Sequence, residues 1–464
     1  MNNSIYEVIN NDYCIGCGGC AYASNNFSIG FDLFGMYKAS FKNNELTKET
    51  DLADKYCPFS DKTMNEDQIS NIIFKDVENK DINIGRYIEN FVGYVQEEPF
   101  RSKGSSGGYG KWILNELLQK DEVDYVVQIK QGSEIEKLFD YEIFKKGDDV
   151  LSGSRSAYYP VTLNGVLDFV LNNKGRYVIT ALPCFAKVLR NIALNDEIIG
   201  SRIKHIIGIV CGHLKSKAFA ELMAWQMGVK PENLRIFEFR DKIKNLAAIQ
   251  KGVYAIDKQG NKTQVVSSKT LYGGNWGHGL FKYKACDYCD DVFGETADVS
   301  VGDAWLNEYI NDSGGNNVLV IRNQRIFDLT IEAVKQGRLN LIPISVDEIV
   351  LSQAGGLRNR REGLLVRLER KKAQRQWTPK KRYFPISKIE PERKRLYIRR
   401  EKASLLSHKL FKKAKLRDDL HFFLKKMKNK TGKLDMPSLK YRIENKLYLA
   451  WQHYKKLIKK VLNG

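Results

Sequence analysis

Short apolar runs and helical periods alternate along most of the chain. β-rich runs bounded by turn residues predict strands, and apolar positions at helical spacing between them predict helices. The predicted strands are Gly93–Gln96, Tyr125–Ile129, Tyr177–Thr180, Ile206–Val210 and Val318–Arg322, and the clearest predicted helices are Gly110–Gln119 and Ala218–Met227. This alternation is typical of an α/β fold, which we predict for the core of the protein.

The same pattern divides the chain into three segments. Residues 1–75 form a small unit with short alternating stretches such as Met36–Phe41, residues 85–350 form the α/β core, and residues 351–464 form a helical extension rich in Lys, Arg and Leu. No run approaches the roughly 18 apolar residues that a membrane-spanning helix needs. The first residues contain neither a basic nor an apolar signal region, so the sequence predicts a cytoplasmic protein.

Charge is distributed unevenly between these segments. The 464 residues carry a formal net charge of +20, but residues 351–464 hold 35 Lys and Arg against 9 Asp and Glu. The rest of the chain holds 40 against 46 and is mildly acidic. Any partner inferred from charge therefore belongs to the extension alone.

The eight cysteines are the clearest chemical signal, because tightly spaced thiols without an export signal favour metal ligation over disulfides. Cys14, Cys17 and Cys20 form a C-x2-C-x2-C run that resembles the cluster loop of bacterial-type ferredoxins. Gly16, Gly18 and Gly19 are expected to give this loop its tightness, since glycine reaches positive φ without penalty. Ser24 stands where the usual run has a fourth cysteine, so Cys57, which Pro58 follows, is predicted to complete a self-contained [4Fe–4S] site. The alternative is structural zinc.

The remaining four cysteines do not form a set by spacing alone. Cys286 and Cys289 make a C-x2-C clamp, whereas Cys184 and Cys211 each follow an apolar run. Zinc, a redox dithiol with two bystander thiols, and simple burial of cysteine all remain open from the residues themselves.

Several segments together resemble the family of deazaflavin (coenzyme F-420) hydrogenase and dehydrogenase beta subunits, which includes 7-hydroxymethyl chlorophyll a reductase. The matching segments are Ser105–Gly108, Ala181–Cys184, Ile209–Gly212, Phe239–Lys242, Lys284–Asp291 and Ala297–Asp303. The resemblance implies an α/β fold that binds FAD and holds a second [4Fe–4S] cluster through Cys184, Cys211, Cys286 and Cys289. It departs at Ala181 and Leu182, where the family usually has Gly-Thr, so the substrate is expected to differ if that threonine touches flavin or substrate.

The segment around Ser105 also has a physical logic of its own. Lys103, Ser105, Ser106, Gly107 and Gly108 precede a predicted helix, and small residues before a helix N-terminus make an anion site that suits a pyrophosphate. Alone, such a turn is more often a flexible loop; the two cysteine sets and the matching segments downstream favour the anion site. Arg155 is a second candidate for phosphate contact, because a guanidinium binds two oxygens at once.

Six further residues have both a functional and a structural interpretation. Arg240 and Lys242 either face the flavin or a substrate anion, or form ion pairs. Asp298 and Asp303 are expected to cap turns near the second cysteine set rather than to transfer protons. His213 and His278 are candidate proton donors, although each is also a common structural residue.

Taken together, these features predict an iron–sulfur flavoprotein oxidoreductase. Clusters carry single electrons and a flavin can deliver a pair, so the protein would couple ferredoxin, or another one-electron carrier, to a small-molecule substrate. The sequence allows either direction of electron flow. A non-catalytic electron-transfer subunit and a zinc-stabilised binding protein are the two alternatives.

The extension has no recognised nucleic-acid module, so sequence-specific nucleic-acid binding is not expected. Near its end, an apolar stripe with Lys at its borders predicts an amphipathic helix that either docks on the core or lies in an anionic membrane interface. The stripe consists of Ile443, Leu447, Ala450, Trp451, Tyr454, Ile458, Val461 and Leu462. The second option would give the protein a peripheral position at the inner membrane face.

Overall fold

The computed structural model describes residues 4–43, 47–132, 137–243, 246–382, 384, 386 and 388–435. The N-terminal segment folds around a hairpin whose two strands pair antiparallel, with Phe27 opposite Phe41. Its elements are α1 Ser4–Asn10, α2 Gly19–Ala23, β1 Phe27–Phe31, β2 Tyr37–Phe41, α3 Lys48–Tyr56 and α4 Glu66–Ile73. The alternating stretch noted in the sequence is thus strand β2.

The core that follows alternates strands and helices, as the sequence predicts. Its strands are β3 Lys80–Asp81, β4 Gly85–Arg86, β5 Glu89–Val95, β6 Tyr125–Gln131, β7 Phe139–Lys145, β8 Tyr177–Ala181, β9 Ile203–Ile209, β10 Leu234–Asp241, β11 Gly252–Asp257, β12 Val266–Ser267, β13 Val299–Asp303, β14 Asn317–Ile321 and β15 Leu339–Pro343. Its helices are α5 Phe100–Lys103, α6 Tyr109–Gln119, α7 Asn164–Asn172, α8 Pro183–Ala193, α9 Glu197–Arg202, α10 Ala218–Gln226 and α11 Gln324–Lys335.

Within the described residues, eight strands form one mixed sheet in the order β15-β5-β14-β13-β9-β8-β6-β7. Strands β6, β8, β9 and β13 run parallel in the middle of the sheet, and the flanking pairs are antiparallel. The carboxyl ends of the four parallel strands therefore meet at one edge, which is where ligands bind in open α/β sheets. A smaller sheet, β10-β11-β12, is formed by the chain between α10 and β13.

The basic extension folds into helices that pack on the core. They are α12 Val346–Ser352, α13 Ala354–Arg360, α14 Glu362–Ala373, α15 Pro391–Arg417 and α16 Leu420–Asp435. Phe411 and Phe423 are buried in the same apolar cluster as Phe185 of the core and Val8 of the N-terminal segment. The Lys and Arg side chains of α15 lie mostly on its outer face, so the charge run is the solvent side of a docked helix.

No helix in the described ranges is both long and apolar enough to cross a bilayer. The amphipathic stripe predicted at residues 443–462 lies outside the described residues, so its docked and membrane-bound forms both stay predictions. The division at residues 75, 85 and 350 also stays a prediction.

Candidate functional site

The first cysteine loop is built on two glycines in the left-handed region. Gly16 has φ of 65° and Gly18 has φ of 98°, and a Cβ on Gly16 would lie 2.5 Å from the Tyr37 carbonyl oxygen. Gly19 differs from the expectation, because it begins helix α2 with ordinary φ. A glycine is needed at this position because a Cβ would lie 2.9 Å from a methyl group of Val188 in α8. Packing against the core, not the turn, therefore requires this third glycine.

The structure brings the first four cysteines together. Burial, and after it the charges of the Cys14, Cys17 and Cys57 sulfurs, raises the pKa of the Cys20 thiol well above its ordinary value. The backbone N–H groups of Gly16 and Ala39 donate to the Cys14 sulfur at 3.3 and 3.2 Å. Backbone donors of this kind are what hold and tune thiolate ligands in iron–sulfur sites.

The second set, which spacing alone could not unite, also converges. Cys184 is the second residue of α8, directly after β8, and Cys211 follows β9, so both lie at the carboxyl edge of the sheet. Cys286 lies in a 3₁₀ helix, Lys284–Tyr288, and Cys289 follows it. Burial raises the pKa of the Cys184 thiol, and the charges of Cys289, Cys211 and Cys286 add to this effect. Neither set is arranged, in the part of the chain that the structure describes, as ligands of a single metal ion.

The two sets are neighbours. Cys17 is among the sulfurs whose charge acts on Cys184. The carbonyl oxygen of Cys17 accepts a hydrogen bond from the backbone N–H of Leu163, just before α7 of the core, at 2.9 Å. The first loop is therefore fixed to the core at the residue that approaches the second set.

Arg360, the last residue of α13, is a site residue that the sequence analysis missed. Its side chain is 1% exposed. Burial acts to lower the pKa of Arg360, but the charges of Cys289, Cys211 and Cys286 and a hydrogen bond to Cys289 raise it overall. Its Nε and Nη1 atoms have no hydrogen-bond partner among the described residues. A buried guanidinium with two unpaired donor atoms beside three thiols fits an anionic group at this place, as a thiolate-bound cluster would be.

A cavity of about 890 Å³ opens at the carboxyl edge of the sheet and reaches Cys211. This volume lies within the roughly 300–1,000 Å³ range of ligand pockets in proteins. One end is formed by the segment before α6, including Ser105, Ser106 and Gly108, and by Gly110 in the first turn of that helix. Cys211, Arg360 and the segment from Gly212 to Lys215 form the region next to the second cysteine set.

The predicted flavin residues fall into two groups. The first group lines the cavity and consists of Ser105, Ser106, Gly108 and Arg155. Gly108 has φ of 93° at the start of α6. Both serine hydroxyls already have a hydrogen-bond partner in the protein, since Ser105 Oγ accepts from the Ser156 N–H at 2.8 Å and Ser106 Oγ donates to the Asn316 carbonyl at 2.9 Å.

Lys103 and Gly107 form the second group, because the structure places both away from the cavity wall. Lys103 is exposed. A Cβ on Gly107 would lie 2.7 Å from the Gly93 carbonyl oxygen and 2.8 Å from the Asn317 nitrogen, so this glycine is enclosed by β5 and β14. Gly107 therefore serves the packing of the loop, and its contact with a flavin stays a prediction.

Cations surround the Ser105 end of the cavity. Lys111, in α6, donates to the carbonyls of Leu151 and Gly153 at 2.6 and 2.7 Å. Burial, helped by the charge of Arg155, lowers the pKa of Lys111 to about 8. Arg155 itself pairs with Asp241 at 2.6 Å. Helix α6 also points its N-terminus here, so this end attracts an anion by side-chain charge and helix dipole together.

Arg240 and Lys242 have different roles. Arg240 is buried, lines the cavity and pairs with Asp303 at 2.7 Å, and its guanidinium also donates to the Ser105 carbonyl at 3.2 Å. Burial acts to raise the pKa of Asp303, but Arg240 and Lys251 lower it to about 2. The Lys242 amine instead donates to the carbonyls of Arg101, Ser106 and Gly314, and so holds the loop before α6 in place.

The other predicted groups are mainly structural. The Asp298 carboxylate accepts hydrogen bonds from the Ile206 N–H at 2.6 Å and from Arg190 at 2.7 Å. It thus connects β9 and α8, which differs from the turn-capping role expected of it. Asp303 is the ion-pair partner of Arg240. His213 lines the cavity and stacks on Trp276 with ring centroids 4.3 Å apart, whereas His278 is buried beside Asn275.

An α/β protein with two adjacent four-thiol sets, the second at the wall of a cation-lined cavity, has the features of a redox protein. Two family models match the chain: coenzyme F420 hydrogenase/dehydrogenase, beta subunit N-term, at residues 90–168, and the C terminus of the same beta subunit at residues 174–347. Together they cover more than half of the chain. The protein belongs to the coenzyme F420 hydrogenase/dehydrogenase beta subunit family, and it is a redox protein of that type.

A solved structure has a similar fold. It is a chain of the F420-reducing [NiFe] hydrogenase complex from Methanosarcina barkeri, which is 15% identical and matches with a TM-score of 0.50. The match covers 66% of this protein and 100% of that chain. A search of curated protein sequences finds no match. The basic extension lies beyond the residues that the family models cover.

Proposed function

We propose that the protein is an iron–sulfur flavoprotein oxidoreductase with two [4Fe–4S] clusters and FAD. Cys14, Cys17, Cys20 and Cys57 would hold the first cluster, and Cys184, Cys211, Cys286 and Cys289 the second. The observation that carries the proposal is the contiguity of three features: the first thiol set, the second thiol set and the cavity that reaches Cys211.

The residues around the cavity support FAD as its ligand. Gly108 and the N-terminus of α6, together with Lys111, Arg155 and Arg240, would bind the pyrophosphate, because backbone donors and guanidinium groups are suited to phosphate oxygens. The apolar and aromatic side chains nearer Cys211, such as Leu214 and Trp276, would exclude water from the flavin ring. When bound, the clusters would supply single electrons and the flavin would allow a two-electron reduction.

The partners follow from this chemistry. A one-electron carrier of the ferredoxin type would exchange electrons at the N-terminal set, and a reducible small molecule, such as a deazaflavin or a biosynthetic intermediate, would enter the cavity. The solved chain of similar fold belongs to a hydrogenase complex, which supports the alternative that this chain is an electron-transfer subunit. The cavity is larger than a cluster bound by the four thiols would require. This additional volume favours an enzyme that binds FAD and a substrate.

Purification without oxygen and assay of the full chain test the proposal. We expect bound FAD and iron, and after chemical reduction we expect reoxidation by the deazaflavin coenzyme or by another added small molecule. Reoxidation by a ferredoxin but by none of the small molecules would favour the relay alternative. Zinc in place of iron would reject the proposal.

Arg360 gives a separate prediction on the second cluster. Replacing it by Gln removes a positive charge beside Cys289 and should lower the reduction potential of that cluster, because reduction adds a negative charge. One unit charge a few ångströms away, at an effective dielectric constant of about 20, corresponds to a shift on the order of 100 mV. A redox titration followed by electron paramagnetic resonance measures it.

The conservative and remote variants serve as controls for that titration. Arg360→Lys keeps the charge and should restore most of the potential, whereas Arg395→Gln removes an exposed charge of α15 and should leave the potential unchanged. An Arg360→Gln variant with a normal iron content and an unshifted potential would show that the guanidinium does not face the cluster.

A further inference from the structure

The cavity carries far more positive charge than the proposed FAD site uses. Among the described residues that line it, nine side chains are Lys or Arg, and one, Asp303, is a carboxylate. The cations are Lys111, Arg155, Lys215, Arg240, Lys282, Arg358, Arg360, Arg393 and Arg400. Three of these lie at the pyrophosphate end, Arg360 faces the second thiol set, and the two buried lysines contact Leu280 and Asp287. The other three are arginines that lie outside the proposed FAD site.

Arg358, Arg393 and Arg400 are the remaining three, and we call them the arginine wall. All come from the extension, beyond residue 347 where the family match ends. Arg393 and Arg400 are two helical turns apart on α15, and Leu396 and Tyr397 between them also line the cavity. This i, i+3, i+4, i+7 spacing is one face of a helix. Further along the same helix, Ser404 and Phe411 are buried in the core, so docking of α15 aims the arginines at the cavity.

Glu362 lies beside two arginines of the wall. Glu362 pairs with Arg393 at 2.7 Å. Burial acts to raise the pKa of Glu362, but the hydrogen bonds from Tyr397 and Arg393 and the charges of Arg393 and Arg358 lower it overall. One carboxylate is thus shared by two arginines. Arg400 lies on the other side, where a Cβ on Gly277 would be 3.4 Å from its Nη2 atom, next to Trp276.

We propose that the arginine wall binds an oxyanion group of the substrate, a phosphate or a carboxylate, while the rest of the cavity holds the flavin. This inference rests on the proposed function. Guanidinium groups are suited to such anions because their planar donors contact two oxygens at once. The wall and Cys211 line the same cavity, so a substrate held at the wall by its anionic group would lie in the cavity that reaches Cys211.

Anion titration of the full, cofactor-loaded protein tests this inference. The probes are inorganic phosphate and acetate, followed by calorimetry, with FAD and iron content measured on each sample. We expect saturable binding of one of them, and its identity distinguishes a phosphate from a carboxylate site. Replacing Arg358 and Arg400 by Gln should weaken binding by on the order of tenfold for each arginine removed, because each substitution removes a charge-assisted hydrogen bond.

The matched control is the pair Arg395→Gln and Arg399→Gln. It removes the same charge from two exposed positions of α15 and should change binding less than twofold. The single variant Arg358→Gln, an exposed position, keeps the test valid if the double variant folds poorly, and it should weaken binding on its own.

Three results would overturn the inference. The first is that neither anion binds saturably, and the second is that anion binding weakens equally in the wall and control pairs. The third is that the wall pair loses FAD, which would assign these arginines to the flavin pyrophosphate. Absence of FAD and iron from the wild-type protein would reject the proposed function instead, and the anion titration would still decide whether the wall is an anion site.

Discussion

Replacing Cys17 by Ala should remove about half of the iron and sulfide and leave FAD bound. Two [4Fe–4S] clusters contain roughly eight iron atoms and eight sulfides per chain. The variant should therefore retain about four of each. The second cluster should survive because its four cysteines are held by the sheet edge and by the 3₁₀ helix Lys284–Tyr288, not by the first loop. Iron, sulfide and flavin analysis of protein purified without oxygen measures the effect.

Ser24→Ala is the control for that experiment. Ser24 occupies the position where a ferredoxin run usually places a fourth cysteine, it is buried, and its Oγ accepts a hydrogen bond from Asn26. Its loss should leave the iron content at the wild-type value. Unchanged iron in Cys17→Ala, or iron loss in Ser24→Ala, would contradict the assignment of the first four cysteines as a self-contained set.

Local patterns in the sequence predicted the elements well, because β-branched runs and helical periods are local signals. The predicted strand Tyr177–Thr180 is β8, Tyr177–Ala181, and the predicted helix Gly110–Gln119 is α6, which begins one residue earlier. The order of strands in the sheet was not predictable in this way. β5 pairs with β14 and β15, more than 200 residues later in the chain, and no local pattern specifies such a pairing.

The candidate site was predicted where residue type alone carries the chemistry. All eight cysteines fall into the two expected groups, since thiol spacing and the resemblance to the family identify them without knowledge of the fold. Arg360 was missed because it stands in a run of Lys and Arg, where charge is usually solvated. What distinguishes it is burial beside Cys289, and burial of a single charged residue depends on how α13 packs. The arginine wall was missed for the same reason.

The glycines before α6 show what the sequence could not distinguish. The sequence groups Gly107 with Gly108 at the proposed anion site, whereas the structure encloses Gly107 against the Gly93 and Asn317 backbones. Gly107→Asp would thus disturb the packing of β5 on β14 whether or not FAD binds. Gly110 lines the cavity, and a Cβ at this position would meet no atom within 4 Å. It is therefore the better place to obstruct a ligand.

Gly110→Asp should abolish FAD binding while both clusters remain. The new carboxylate would extend from the first turn of α6 into the proposed pyrophosphate site, where it opposes the ligand by like charge and by occupied space. The fold should be preserved, because an acidic residue near a helix N-terminus interacts favourably with the helix dipole. Flavin released on denaturation, measured against protein and iron content, gives the result.

Gly165→Asp is a closely matched control. Gly165 is also the second residue of its helix, α7, it is exposed, and a Cβ there would likewise meet no atom within 4 Å. The two variants therefore differ in place but share the charge, the helix position and the free space around the new side chain. FAD should be retained at the wild-type ratio in Gly165→Asp. Full FAD occupancy in Gly110→Asp would show that the pyrophosphate does not bind at α6. Equal loss of FAD in both variants would assign the effect to an acidic residue in a helix N-terminus in general rather than to the cavity.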